Sequence, residues 1–372
     1  MLTNAIHPLL RQASFDPTLE YEAFEPSLRL VSRLLETAQV RHFLHAMWFG
    51  TNEHIGDTVN GTLRGMKAEA YRSNRSVLGL SKDDVVAVDA KLATLAKMVR
   101  FHVHDLPEWI NGQCRACKMP VVPGISRPGG PPCPTLADFK GANSDISITR
   151  TRYDALVAAS RSGQTEHDLK HEQFDMAMLI FHELGHAAHN AQMGHRPADF
   201  FGDALIAESG FDITACVFGA IPQRSTKNKQ SLWMNWPNRL TLDTYEKHGP
   251  PKLAYRDLDT IKECKKACYA PAFEVELWED SFWDDTVRLK GPKALVIPAF
   301  AIWTQEAIWN GDRVPVPASV TGLFAMPVKS LRPKTRLRQR VTFAVRERYN
   351  SLGVETFEEA CDKVGASRSS GP

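Results

Sequence analysis

The sequence predicts an α+β fold that is mostly helical and carries a small mixed sheet. Apolar residues recur at helical spacing within residues 18–50 and again within 81–101. The stretch 174–193 is rich in Ala, Met and Leu and contains no proline, which also favours a helix. Residues 144–150 alternate apolar and polar side chains over a short span, which is typical of a strand.

Composition and charge are those of an ordinary globular protein. The 372 residues are 43% hydrophobic and 24% charged, with a formal net charge of +2. This balance does not favour nucleic acid as a partner, and we interpret the basic stretch 329–348 as a solvated helix face. No apolar stretch is long enough to cross a membrane. The N-terminal residues lack the apolar core of a secretory signal, so we expect a cytoplasmic protein without a membrane partner.

The chain is predicted to be organised in four parts. Residues 1–110 form an N-terminal helical part, in which one helix begins at Ser81, a candidate N-cap. Residues 111–143 are rich in Pro, Gly and Cys and predict an irregular connecting loop. Residues 144–364 form a part that bears a metal site, as argued below. The tail, 365–372, is expected to be disordered.

Three cysteines of the connecting loop suggest a second metal site. Cys114, Cys117 and Cys133 could bind a structural zinc ion if His102 or His104 supplied the fourth ligand. The alternative is that these cysteines are reduced thiols or form one disulfide.

The strand predicted at 144–150 shortly precedes the stretch 174–193. We expect it to form the edge of a cleft, where an extended peptide would pair with it through main-chain hydrogen bonds. The alternative is an internal strand of the sheet.

The predicted helix 174–193 contains the sequence His-Glu-Leu-Gly-His. His182 and His186 are one helical turn apart, so both imidazoles project from one face and can bind one metal ion. Glu183 lies about 100° around the axis, where it can act as a catalytic base without binding the metal. Two imidazoles, an open coordination position and an adjacent base are what a zinc hydrolase requires. The alternative is a buried helix with two satisfied core histidines.

The helical stretch that follows, residues 203–219, offers a third ligand. Glu208 and Asp212 are again one turn apart. We expect Glu208 to bind the metal and Asp212 to accept the second N–H of a ligand histidine. Asp203 is the alternative ligand.

The motif from His182 to His186, followed by Glu208 and Asp212, resembles the gluzincin branch of zinc metallopeptidases, the thermolysin-like arrangement. The resemblance implies a zincin-like catalytic domain, in which an active-site helix, a glutamate helix and a small mixed sheet surround a Zn²⁺ ion. This sequence departs from the pattern at Ala207, where thermolysin-like enzymes have Asn. More loosely, it resembles uncharacterised fungal metallopeptidase-like proteins.

A zinc hydrolase also needs a donor for the oxyanion that develops in the transition state, commonly a Tyr or His from a downstream segment. Tyr245, His248 and Tyr255 are candidates by position, and the sequence does not choose among them.

The predicted function is zinc-dependent hydrolysis, with cleavage of peptide bonds as the first hypothesis. A site of this kind does not determine its substrate. One alternative is a zinc enzyme that acts on a small molecule in a biosynthetic pathway. The other is a non-catalytic interaction protein that binds a metal.

Overall fold

A computed structural model of the chain describes residues 1–57, 67–107, 110–117, 139–161, 165–194, 198–204, 206–224, 231–234, 236, 263–269, 271–297, 299–308 and 336–341. Helices and three small sheets make up these residues, so the fold is mixed α+β, as predicted. None of the described helices is long and apolar enough to cross a membrane.

The chain divides into two compact units. The first comprises Met1–Val217, Pro250–Arg256 and Leu277–Leu295, and the second comprises the remaining residues. The first unit therefore takes in the predicted N-terminal helical part together with the 182–186 motif. Within the second unit, strands β7 to β11 form a five-stranded antiparallel sheet of order β11-β10-β9-β8-β7. These strands are Ile221–Arg224, Ser231–Met234, Glu263–Tyr269, Ala299–Ile308 and Arg336–Val341.

Helices form within each stretch predicted to be helical, although the helix Glu166–Met193 begins eight residues before the predicted stretch 174–193. They are α1 (Tyr21–Leu35), α2 (Ala38–Phe49), α3 (Lys82–Leu95), α4 (Arg150–Arg161), α5 (Glu166–Met193) and α6 (Ser209–Phe218). Shorter helical segments follow at Pro271–Glu276 (α7), Phe282–Val287 (a π-helix), Arg288–Lys290 (α8) and Gly291–Leu295 (a 3₁₀ helix).

Helix α3 confirms the predicted cap and shortens the predicted helix. The Ser81 hydroxyl accepts the Asp84 N–H at 3.1 Å, and the Asp84 carboxylate accepts the Ser81 N–H at 2.9 Å, which is a capping box. The helix ends at Leu95, whereas the sequence predicted helix up to residue 101. Val99–His104 instead form strand β3.

The sheet that matters for the site has the order β3-β5-β4. Its central strand β5 (Ser144–Thr149) runs parallel to β3 and antiparallel to β4 (Gly112–Ala116). The prediction that 144–150 forms the cleft edge was therefore wrong, because neighbours on both sides use the backbone groups of β5. Among the residues that the structure describes, the outer strands of this sheet are β3 and β4, and the edge strand β4 lies inside the segment predicted to be an irregular loop.

A second three-stranded sheet has the order β1-β2-β6. Strand β1 (Thr51–Asp57) is antiparallel to β2 (Lys67–Arg72), and the short β6 (Phe200–Phe201) is parallel to β2. Tyr71 on β2 is 2% exposed and packs against the rings of Phe43 and Phe201. This sheet therefore brings a tyrosine from β2 into the interior of the first unit.

Helix α5 runs through the core of the first unit. It contacts α1, α2, α4, β4 and β5, so apolar residues are needed around most of its circumference. Buried apolar side chains occur along its length at Phe174, Ala177, Ile180, Phe181, Leu184, Ala187, Ala188 and Ala191. The two histidines of the motif therefore lie on a helix that neighbouring elements contact on several sides.

Candidate metal centre

Helix α5 places His182 and His186 side by side. The helix begins after Thr165, whose hydroxyl accepts the Asp168 N–H at 3.2 Å, and ends at Gly194 with φ 68°. The two imidazole rings have centroids 5.0 Å apart. Their side chains are 17% and 28% exposed, so both histidines lie at the edge of the core rather than inside it.

Glu208 reaches both histidines from the residue that precedes α6. Its Oε1 lies 2.6 Å from His186 Nε2 and 3.5 Å from His182 Nε2. The ligand atoms of these three residues lie within 4.8 Å of one another. No other group of three or more His, Cys, Asp or Glu side chains in the described residues is this close together. The structure thus brings the three predicted ligands together.

Glu208 also caps helix α6. Its Oε2 accepts the Phe211 N–H at 2.5 Å, and its carbonyl accepts the Asp212 N–H at 3.0 Å. The sequence predicted helix from residue 203, but the helix begins at Ser209. A carboxylate in the N-cap position is stabilised by the helix dipole, so the cap holds Glu208 in place as an anion.

Two glycines allow α5 and α6 to approach each other. A Cβ added at Gly185 would lie 2.5 Å from the Ser209 carbonyl oxygen. A Cβ added at Gly210 would lie 2.5 Å from His182 Nε2. Both distances are too short for any side chain, so the contact between the two helices depends on these glycines.

Buried carboxylates lie around Tyr71, and two of them, Glu208 and Asp212, also act on His186. Glu208, Asp212 and Asp199 are 2%, 4% and 7% exposed. Burial raises the pKa of Tyr71 well above its ordinary value, and the charges of these three carboxylates add to that increase. The Tyr71 ring therefore lies among them. Tyr71 and Asp199 were missed in the sequence, because no local spacing connects them to the motif.

Burial and the neighbouring charges shift the pKa of each of the three candidate ligands. Burial lowers the pKa of His186, but the charges of Glu208, Glu183 and Asp212 outweigh it and raise that pKa overall. Burial raises the pKa of Glu208, but the two histidines and the Phe211 N–H lower it overall. His182 differs, because burial dominates there and lowers its pKa to about 4.

Glu183 lies beneath the edge strand β4. Its side chain is 3% exposed, and burial raises the pKa of this carboxyl to about 7. The Cys114 backbone N–H on β4 faces the carboxylate and favours its ionised form. A Cβ added at Gly112 would lie 3.0 Å from Glu183 Oε1 and 2.6 Å from Leu179 Cδ1, so the strand approaches the helix closely only because residue 112 is glycine.

Asp203, the alternative ligand, lies outside the site. Its side chain is 86% exposed and pairs with Arg72 Nη2 at 2.8 Å. Asp212 lies near the histidines, as its effect on the pKa of His186 shows. Tyr245, His248 and Tyr255, the candidate oxyanion donors, lie outside the described residues.

The cysteines do not form a second group of ligands within the part of the chain that the structure describes. Cys114 Sγ lies 3.4 Å from Asn190 Nδ2, and Cys117 Sγ lies 3.3 Å from Asp145 Oδ2. Cys133 is outside the described residues. The two described thiols therefore have different partners.

Comparison of the chain with models of known protein families, with curated proteins and with solved structures found no match.

The residues at the centre fit a divalent metal ion. Two imidazole nitrogens and one carboxylate oxygen are the donor set of many catalytic zinc sites. Burying a carboxylate is less costly when positive charge accompanies it, and the buried carboxylates of Glu208, Glu183 and Asp212 all act on His186. A divalent cation held by His182, His186 and Glu208 would supply that charge.

Proposed function

We propose that the protein is a zinc-dependent hydrolase, and specifically a metallopeptidase with a zincin-like arrangement. The convergence of His182, His186 and Glu208, with the buried Glu183 beside them, is the observation that carries this proposal. In it, α5 is the active-site helix, α6 is the glutamate helix, and β3-β5-β4 is the small mixed sheet.

The chain's own residues have separate roles in this proposal. His182, His186 and Glu208 hold Zn²⁺, which supplies Lewis acidity and lowers the pKa of water toward neutrality. Glu183 acts as general base and then as general acid: it takes a proton from water and passes it to the leaving amine. Asp212 orients a ligand histidine.

The edge strand β4 supports a peptide as substrate. The backbone groups of Asn111 and Cys117, on either side of the strand, hydrogen-bond to the β5 segment at 2.9 and 2.8 Å. Bonding alternates along an antiparallel pair, so Gly112, Cys114 and Ala116 direct their backbone groups away from β5. The Cys114 N–H donates to the Glu183 carboxylate. The remaining outward groups can pair with an extended peptide directly beside the general base.

The metal is tested first. We expect mass spectrometry of the native protein to find one zinc ion in the wild type and in Glu183→Gln. We expect none in His186→Ala or Glu208→Ala. Asp203→Ala is the matched control, because it removes an exposed carboxylate from the same segment and should keep the ion. A wild type that binds no zinc when zinc is offered would refute the proposal.

The reaction is tested with the variant that keeps its metal. On a peptide library, Glu183→Gln should lose about 10²- to 10⁴-fold in rate, the usual contribution of a general base. Cleavage by the wild type and not by this variant supports the peptidase. If both zinc-loaded proteins leave every peptide intact, the peptidase assignment fails while the zinc site stands.

A further inference from the structure

A second cluster of reactive side chains lies where α2, the turn after β2 and the start of α3 meet. It consists of His45 on α2, Ser73 after β2 and Asp84 in the first turn of α3. It shares no residue with the metal centre. The sequence showed His45 only as one histidine in an apolar helix, and the two other residues are distant from it in the chain.

The three side chains are arranged in series. Ser73 Oγ lies 3.3 Å from His45 Nδ1, and His45 Nε2 lies 3.4 Å from Asp84 Oδ1. A nucleophile, a base and a carboxylate in this order define a catalytic triad by geometry, whatever their order in the chain. Distances slightly longer than an ideal hydrogen bond are common in triads without a bound substrate.

The surroundings hold each member in place. His45 is 5% exposed and its ring packs 5.5 Å from that of Phe49. The Asp84 carboxylate accepts the Ser81 hydroxyl at 2.8 Å as well as the Ser81 N–H, so it stays fixed when His45 changes its charge. These backbone and side-chain hydrogen bonds lower the pKa of Asp84, which is therefore an anion at neutral pH.

Ser73 differs from its partners because it lies in a surface turn. It is half-buried, and its Oγ accepts the Arg75 N–H at 3.1 Å, which sets the direction of the hydroxyl. The Arg75 guanidinium lies 3.6 Å from Asp84 and its side chain is 49% exposed. The turn therefore holds the hydroxyl at the edge of the core, beside the buried His45, and carries a cation that pairs with Asp84.

We propose that Ser73 is a nucleophile activated by His45, and that this cluster hydrolyses small, unhindered carboxylic esters independently of the metal. Ser73 Oγ bonds to the acyl carbon and its proton passes to His45 Nδ1. The ester C–O bond breaks, and the leaving alcohol takes that proton. Water then attacks the acyl-serine and gives its proton to His45, which returns it to Ser73 Oγ as the acid is released. Asp84 is a positioning residue that keeps the proton of His45 on Nε2.

The first test is labelling with a fluorophosphonate probe, in which Ser73 Oγ bonds to phosphorus and fluoride leaves. We expect tandem mass spectrometry to locate the label on Ser73. Ser73→Ala should remove it, and His45→Gln should slow it by about 100-fold or more. Asp83→Asn is the matched control, because it removes the neighbouring exposed carboxylate of the same helical turn and leaves Asp84 and its capping box intact, and it should label at close to the wild-type rate. Thermal unfolding verifies that each variant is folded.

The second test separates this site from the metal centre. Labelling of Ser73, and the part of aryl acetate hydrolysis that Ser73→Ala removes, should persist when a chelator removes the metal. Loss of both activities in Ser73→Ala, with zinc content retained, supports the proposal. Failure of the folded wild type to label at Ser73, or a label that His45→Gln leaves at full rate, overturns it without affecting the zinc assignment.

Discussion

Helix α5 and strand β4 meet at Glu183, yet only one of them could be predicted. The helix has 28 residues and contains a motif whose spacing has meaning only on a helix. The strand has five residues, Gly112–Ala116, and lies in a segment whose Gly and Pro content predicts a loop. Helical patterning is a local property, whereas a short edge strand forms because its neighbours are present.

Strand β4 did carry a weak signal. Small residues at Gly112, Cys114 and Ala116 alternate with the long polar residues Gln113 and Arg115. The small residues form the face toward α5, where Gly112 approaches Glu183. On the other side, Arg115 Nε donates to Gln113 Oε1 at 2.8 Å. The period of two is therefore one of side-chain size rather than hydropathy. The strand and the helix make separate contributions to the site, and substitutions can test them separately.

The largest effect is expected where the helices meet. In Gly210→Ala the new methyl group would overlap the His182 ring, so that ring must move. We expect zinc affinity to fall by about 10- to 100-fold, the range for changes around a ligand, as measured by competition with a chromogenic chelator. Cys216→Ala on the same helix is the control and should keep its affinity, because its thiol faces the Gln39 and Ile213 carbonyls. Unchanged affinity in Gly210→Ala would mean that α6 does not position His182.

A smaller effect is expected from the strand, and on a different quantity. Gly112→Ala places a methyl group against Glu183 and Leu179. We expect kcat to fall by about 5- to 10-fold, because a general base displaced by a fraction of an ångström transfers protons less efficiently. Zinc content should stay at the wild-type level. Gln113→Ala, on the opposite face, should leave both quantities unchanged. Loss of zinc in Gly112→Ala would contradict separate roles for strand and helix.

The smallest effect concerns the Cys114 thiol and requires no mutation. Burial raises the pKa of this thiol, so the reactive thiolate forms only at a pH well above that of a free cysteine. At pH 8, Cys114 should react with iodoacetamide about 3-fold more slowly in the native protein than in denaturant, where the thiol is fully exposed. Equal rates in the two states would show that β4 is not packed against α5.

The same contrast explains which parts of the site could be predicted. His182, His186 and Glu183 follow from a four-residue spacing on one helix. Glu208 was the expected third ligand, but Asp203 remained as the alternative, since both lie in the stretch predicted to be helical. The structure separates them: the first caps α6 and faces the histidines, and the second pairs with Arg72 in solvent.

Residues from distant segments could not be predicted at all. Tyr71 lies on β2, a strand of a different sheet, and Asp199 lies in the segment before β6. The order β3-β5-β4 likewise depends on pairing between separate segments, so β5 could be assigned as a strand but not as an internal one. The Ser73, His45 and Asp84 cluster belongs to the same class, since three elements of the fold bring it together.

The sequence by itself determined most of the long helix α5, the face that carries its two histidines, the glutamate beside them and the α+β class of the chain. These features depend on interactions between residues a few positions apart, which composition and spacing record directly. Only the tertiary structure decided which acidic residue joins the histidines, which strand forms the edge above Glu183, and where two glycines let α6 approach α5. Those outcomes depend on packing and backbone pairing between segments far apart in the chain, and no local pattern encodes them.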